Sequence, residues 1–189
     1  MNYDIVILGS GESGTGAALL AHQQGLKTFV SDGGKIPMRY KDELEKAKIP
    51  FEESTHTMDI ILSAKEIIKS PGIPDTVPVM QEVKNKNINV VSEIEFAYRY
   101  KGVSKIVAIT GTNGKTTTAT LTYHLFKKAD YDVSLVGNVG FSFARQIATQ
   151  PTAWYVMEIS SFQLDDIKTF KPDEDDLSYL FKDDIFDDF

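Results

Sequence analysis

The chain has 189 residues, 42% of them hydrophobic, no cysteine and a formal net charge of −7; this suffices for one large or two small packed domains and excludes a disulfide framework or a thiolate zinc site. His22, His56 and His124 are scattered without metal-ligand spacing, no apolar run approaches the ~18 residues of a membrane span, and the N-terminus lacks the pattern of a signal peptide. A soluble, cytoplasmic α/β protein is expected, working as a monomer away from membranes.

Residues 3–8 (YDIVIL) form a continuous apolar run suited to a buried strand. Gly9-Ser10-Gly11-Glu12-Ser13-Gly14 follows, then a helical pattern over 15–24, a second strand over 26–30, and Asp32 just past its end. G-x-G-x-x-G between strand and helix, with an acid after the next strand, is the arrangement that holds a dinucleotide. Gly9 permits the tight turn, Gly11 permits close approach of a diphosphate, and the helix start faces the negative charge. On these residues alone the ligand is NAD or FAD, and a Rossmann-type turn without a ligand stays open.

Residues 66–69 (EIIK) read as a short strand ending in Ser70-Pro71-Gly72-Ile73-Pro74. Pro-Gly sets a turn at the carboxyl end of a parallel strand, where open α/β sheets bind ligands, although an ordinary turn accounts for it as well. Residues 77–87 look helical and 90–91 extended. Ser92, with Glu95 three residues later, forms a capping box that opens a helix, so the charges there read as structural. Residues 100–104 link to a second unit.

The second unit starts with a β-branched strand over 106–109, which runs into Gly111-Thr112-Asn113-Gly114-Lys115-Thr116-Thr117 and a helix to about residue 128. Strand, glycine turn, Lys-Thr and helix make a phosphate loop. Backbone N–H groups and the helix N-terminus face phosphate oxygens, Lys115 reaches the β- and γ-phosphates, and the Thr116 hydroxyl can ligate Mg²⁺. The general motif has its first glycine where Ile109 stands; here it is Gly111. A glycine turn with an incidental lysine is the plainer alternative, and the strand-to-helix context favours phosphate. A strand over 132–136 leads to the turn Gly137-Asn138-Val139-Gly140 and a helix over 141–149. A strand over 154–157 then ends at Glu158, before Ile159-Ser160-Ser161-Phe162-Gln163-Leu164.

The shortened loop GTNGKTTT resembles the ATP loop of the Mur ligases, the ATP-dependent amide-forming enzymes of peptidoglycan precursor synthesis. SPGIP, GNVG and EISSFQL are most similar to the D-glutamate-adding branch of that family. The resemblance implies that the first glycine loop holds the diphosphate of a UDP-sugar rather than NAD. It assigns Gly11, Glu12, Ser13, Gly14, Asp32, Ser70, Pro71, Gly72, Asn138 and Ser160 to substrate, with Ser161 and Gln163 more loosely. Residues Gly111, Thr112, Asn113, Gly114, Lys115, Thr116 and Thr117 would bind ATP; Thr116 and Glu158 would hold Mg²⁺, and Lys115 and Glu158 would be the catalytic pair. The implied substrates are UDP-N-acetylmuramoyl-L-alanine and D-glutamate.

The expected organisation is a Rossmann-like, parallel-sheet domain over 1–100, a truncated P-loop α/β domain over 105–172, and an acidic tail over 173–189 that is atypical for the family. The tail holds eight acids and one base, which accounts for the whole net charge; the other 172 residues carry 19 basic and 19 acidic side chains. No basic nucleic-acid surface is expected. Leu177, Leu180, Phe181 and Ile185 have helical spacing, so a short acidic amphipathic helix is conceivable. A frameshift or truncation is favoured over a cloning remnant or a natural partner-binding tail, because the resemblance breaks inside a central sheet. A chain so truncated is expected to bind the UDP-precursor weakly and to lack ligase activity. Two other readings stay open: a UDP-sugar and ATP-binding module without catalysis, and a nucleotide-dependent oxidoreductase.

Overall fold

The computed structural model describes residues 2–164 and 166–173; the amphipathic helix considered for the tail lies outside them. The first sheet is built from β1 (Ile5–Leu8), β2 (Thr28–Asp32), β3 (Phe51–Glu53), β4 (Glu66–Lys69) and β5 (Asn89–Ser92), all parallel, in the order β3-β2-β1-β4-β5. Its connections are α1 (Glu12–Gln23), α2 (Met38–Lys46), α3 (Met58–Ile61) and α4 (Pro78–Asn85), and α5 (Glu93–Tyr98) leads out of β5. The second sheet holds β6 (Lys105–Ile109), β7 (Val133–Gly137) and β8 (Trp154–Glu158), parallel, in the order β6-β8-β7. Its helices are α6 (Lys115–Lys128), α7 (Phe143–Thr149) and the single turn α8 (Ser161–Leu164).

Strand alternation sorts the side chains into layers. Val30, Ile7, Ile68 and Val91 lie in one register row across the first sheet and face the same core as Ile106, Tyr155 and Met157 of the second. Helices α1, α5 and α7 fill the space between the two sheets, contributing Ala17, Leu20, Ala21, Phe96, Phe143 and Ile147. On the outer face of the first sheet, Val6, Leu8 and Ile67 pack on Ile61, Val79, Met80 and Val83 from α3 and α4. On the outer face of the second, Val107, Val133 and Val156 pack on Ala119 of α6. The result is five layers in which one continuous core belongs to both sheets. Among the described residues no helix is long and apolar enough to cross a membrane.

Several boundaries differ from expectation. Helix α1 starts at Glu12, inside the glycine stretch, because a helix tolerates glycine in its first turn when neighbours pack against it. Strand β2 is displaced two residues towards its C-terminus, so Asp32 ends the strand instead of following it. The capping box is half realised. Ser92 Oγ accepts the Glu95 N–H at 3.2 Å, but the Ser92 N–H donates to the Asp166 carbonyl and Glu95 turns away. Its carboxylate accepts the N–H groups of Lys168, Thr169 and Phe170 and the Thr169 hydroxyl.

Candidate nucleotide site

The first sheet reverses its direction of growth between β1 and β4, and such a switch point opens a crevice at the strands' carboxyl ends. The loop after β1 lies there with its three glycines in different settings. Gly9 has φ +87°, a left-handed conformation open to glycine. Gly14 packs so closely that a Cβ on it would overlap the Gly9 carbonyl oxygen, whereas a Cβ on Gly11 would meet nothing within 4 Å. Gly11 is thus the glycine whose open side faces the cleft. Asp32 braces this loop: it accepts the Ser10 N–H at 2.7 Å, the Ser10 hydroxyl at 2.6 Å and the Gly34 N–H at 2.8 Å. Burial raises its carboxyl pKa, but the Ser10 hydroxyl, the two N–H groups and His56 outweigh that and hold it below the ordinary aspartate value.

Ser70, Pro71 and Gly72 form the opposite lip, and Ser70 Oγ donates to the Gly9 carbonyl at 3.3 Å. Lys69, just before them, is nearly buried and bridges Asp75 at 2.8 Å and Asp166 at 2.7 Å. Burial lowers its pKa, but the two carboxylates more than compensate, so it stays an ammonium.

The third lip comes from the second sheet. Asn138 is stitched to the end of β8: its N–H donates to the Glu158 carbonyl at 2.9 Å and its Nδ2 to Glu158 Oε1 at 2.8 Å. Glu158 is 1% exposed, and its Oε2 is buried without a hydrogen-bond partner. In register it lies between Ile109 of β6 and Gly137 of β7, beside the start of the phosphate loop. Gln163 Oε1 accepts both the N–H (3.0 Å) and the hydroxyl (3.2 Å) of Ser160.

Gly11, Glu12, Ser13, Asp32, Ser70, Pro71, Gly72, Asn138, Ser160 and Gln163 all line one cleft of about 1380 Å³, walled on its apolar side by Phe141 and Phe162. Gly14 and Ser161 do not line it, and neither do residues 111–117 of the phosphate loop, which cap the neighbouring strand β6. There Gly114, at φ +78°, precedes α6 and turns the chain so that the first-turn N–H groups face outward. Lys115 Nζ donates to the Gly111 carbonyl at 2.5 Å and the Thr112 carbonyl at 3.4 Å, which sets the ammonium over the loop.

Glu12 has a second engagement. Its Oε1 accepts the Ser142 N–H at 3.1 Å and Arg145 Nε at 2.6 Å, and Arg145 also pairs with Glu43. The same cleft is lined by Arg39, Tyr40 and His56, which no motif singled out. They come from α2 and the segment after β3, where the sequence carries no recognisable pattern, so only the fold brings them in.

A Rossmann-type glycine loop and a Gly-Lys-Thr turn opening a helix, on adjoining parallel sheets, are the layout of the nucleotide-binding class of α/β proteins. Comparison with known proteins makes this specific. The family model for the MurD-like N-terminal domain of Mur ligases matches residues 3–92, and that for the Mur ligase middle domain matches residues 109–173. The chain therefore belongs to the Mur ligase family. It is 60% identical over 171 residues to the UDP-N-acetylmuramoylalanine–D-glutamate ligase of Porphyromonas gingivalis strain ATCC 33277, covering 90% of this chain and 38% of that protein. It is 53% identical over 174 residues to the ligase of the same name from Cytophaga hutchinsonii, covering 92% and 39%. The chain thus spans less than two fifths of the length of these relatives. Among solved structures, the UDP-N-acetylmuramate:L-alanyl-γ-D-glutamyl-meso-diaminopimelate ligase from Neisseria meningitides superimposes with a TM-score of 0.58 at 19% identity, over 91% of this chain and 56% of that one. The UDP-N-acetylmuramate–alanine ligase from Thermotoga maritima gives 0.54 at 19% identity, over 84% and 37%. At that identity the two structures speak for the fold alone.

Proposed function

We propose that this chain is the UDP-precursor-binding and ATP-binding portion of a cytoplasmic ligase that joins D-glutamate to UDP-N-acetylmuramoyl-L-alanine in peptidoglycan precursor synthesis. The observation that carries the reading is the single cleft on which the first glycine loop, the Ser70–Gly72 turn, Asn138 and Ser160 converge, with Glu158 directly behind Asn138 and beside the phosphate-loop strand.

In this reading Gly11 and the first-turn N–H groups of α1 receive the diphosphate. Asn138 and Ser160 position the far end of the precursor. Its terminal carboxylate attacks the γ-phosphorus of ATP, the bond to ADP breaks, and an acyl phosphate forms. The amine of D-glutamate then attacks the acyl carbon, phosphate leaves, and the amine proton is released. Lys115 offers its ammonium to the β- and γ-phosphates. The chain also fits Mg²⁺: Glu158 Oε2 is a buried, unpartnered hard oxygen, and Thr116 supplies a hydroxyl at the start of α6. Mg²⁺, when bound, neutralises charge on the transferred phosphoryl group.

Calorimetric titration of the purified chain tests the reading. UDP-N-acetylmuramoyl-L-alanine and Mg·ATP should each bind, and NADH should not. Lys115→Ala should abolish ATP binding and leave precursor binding intact. Unchanged ATP affinity in Lys115→Ala, or NADH bound in place of the precursor, would overturn the proposal.

A further inference from the structure

The lip of the cleft that carries Ser160, Phe162 and Gln163 is built on the single turn α8, which is too short to hold its own shape. The chain behind it, residues 166–170, is fastened to the first sheet. Lys69, the last residue of β4 and 8% exposed, lies 2.7 Å from Asp166 Oδ2, and that buried oxygen has no hydrogen-bond partner among the described residues. The Asp166 carbonyl accepts the N–H of Ser92, at the end of β5, at 3.3 Å. Glu95 of α5 is buried and takes the N–H groups of Lys168, Thr169 and Phe170 on Oε2 at 3.0, 2.9 and 2.9 Å, and the Thr169 hydroxyl on Oε1 at 2.6 Å. Burial raises the Glu95 carboxyl pKa, but the Thr169 hydroxyl and the three N–H groups bring it below the ordinary glutamate value.

Lys69 stands between two lips. It precedes Ser70, and its ammonium joins Asp75, in the turn after β4, to Asp166, behind α8. The two carboxylates do not depend on it equally. Asp75 also pairs with Lys84 at 2.6 Å and is well exposed, whereas the buried oxygen of Asp166 relies on Lys69. Asp166 has φ +62°, a left-handed conformation that asparagine adopts as readily as aspartate. Asp166→Asn therefore removes the charge and leaves the turn its conformation.

We propose that Lys69, Asp166 and Glu95 are positioning residues for the far end of the precursor: by strapping residues 166–170 to the first sheet they hold Ser160, Phe162 and Gln163 on the cleft. The assignment rests on the UDP-precursor reading above and adds to it the side chains that set one lip against the other. None of the three touches the ligand. They act through α8, because a binding group keeps its geometry only when the residues behind it are fixed. Cutting the strap lets the α8 lip drift and leaves the glycine loop, braced by Asp32, in place. The cost then falls on a ligand long enough to reach α8 and spares one that ends at the diphosphate.

The test is the affinity of the chain for UDP and for UDP-N-acetylmuramoyl-L-alanine, measured for wild type, Asp166→Asn, Lys69→Met and Lys69→Arg. Asp166→Asn and Lys69→Met should each lose about tenfold for the precursor and keep wild-type affinity for UDP, and Lys69→Arg, which restores the cation, should recover most of the loss. Asp75→Asn, which spares the pair with Asp166, should bind both ligands as wild type does. Unchanged precursor affinity in Asp166→Asn, or equal losses for UDP and precursor, overturns the positioning role and leaves the UDP-precursor reading standing. Failure of wild type to bind the precursor overturns both. If Asp166→Asn does not fold, hydrogen exchange on the wild-type chain reads the same coupling. The precursor should slow exchange of the Lys168, Thr169 and Phe170 N–H groups and UDP should not; equal protection by the two ligands, or none by either, overturns the assignment.

Discussion

Gly11 and Gly14 stand three residues apart in one motif yet answer to different constraints. A Cβ at position 14 collides with the Gly9 carbonyl, so Gly14→Ala must push α1 off β1. Overpacking of that kind costs about 1–3 kcal/mol, and thermal unfolding of Gly14→Ala should show the loss directly. A Cβ at position 11 has open space, so Gly11→Ala should stay within about 1 kcal/mol of wild type. Its effect should appear in binding instead: if the diphosphate lies against Gly11, precursor affinity falls at least tenfold with no matching fall in melting temperature. A large stability loss in Gly11→Ala, or unchanged affinity, would remove the diphosphate from that position. The sequence marked both glycines, but only the packing around them separates a structural role from a ligand-facing one.

At the scale of elements, legibility followed the motifs that flank each run. Strands β1, β4, β6 and β8 are short runs of apolar residues followed by glycine, proline or acid, and those patterns announce both the strand and its loop. Helix α2 and strand β3 went unread. The helix buries just Tyr40 and Leu44 in a strongly charged stretch that no capping side chain or glycine motif opens, and the edge strand is three half-buried residues, too short for alternation to show. His56 and Arg39 belong to this stretch, which is why that wall of the cleft was invisible in the sequence while the glycine loop was plain. Helix α7 was expected, but not what it does. A Cβ on Gly16 of α1 would overlap Ser142 Oγ at the start of α7, and Arg145 joins Glu12 of α1 to Glu43 of α2. Arg145 is 8% exposed, so its loss leaves two carboxylates facing each other across a nearly dry contact. Arg145→Ala should therefore cost about 2 kcal/mol, discounted from the fully buried case because both glutamates keep partial access to water. Denaturant unfolding at low and high salt would check it, and a cost near zero would make the pairs superficial.

For the molecule as a whole, the shared core makes two sheets one folding unit. Trp154, the only tryptophan, sits in the second sheet, while most helix lies against the first. Its fluorescence and far-UV circular dichroism should report coincident unfolding midpoints; separated transitions would show that the core between the sheets does not couple them. The same core contains Glu93, fully buried, with Oε1 accepting the Ala144 N–H and Oε2 unpartnered. Burial pushes its carboxyl up from 4.5 to about 7, the Ala144 N–H opposes this, and Glu12 adds to it. The folded chain therefore holds this proton more tightly than the unfolded chain. The resulting stability is complete below about pH 4.5 and is lost as pH rises through about 7, amounting to about 3 kcal/mol. Glu93→Gln, which mimics the protonated form, should melt near wild type at pH 4.5 and clearly above it at pH 8. Equal melting of the two proteins at pH 8 would contradict the assignment.

The contact of Gly16 with Ser142, locked by Arg145, has one more consequence. It bolts the two walls of the cleft together at their base, one wall ending at His56 and the other at Asn138 and Ser160. A cleft braced in this way would discriminate by length: a ligand reaching both rims would gain two sets of contacts held at a set spacing, and a shorter one only the set it can touch.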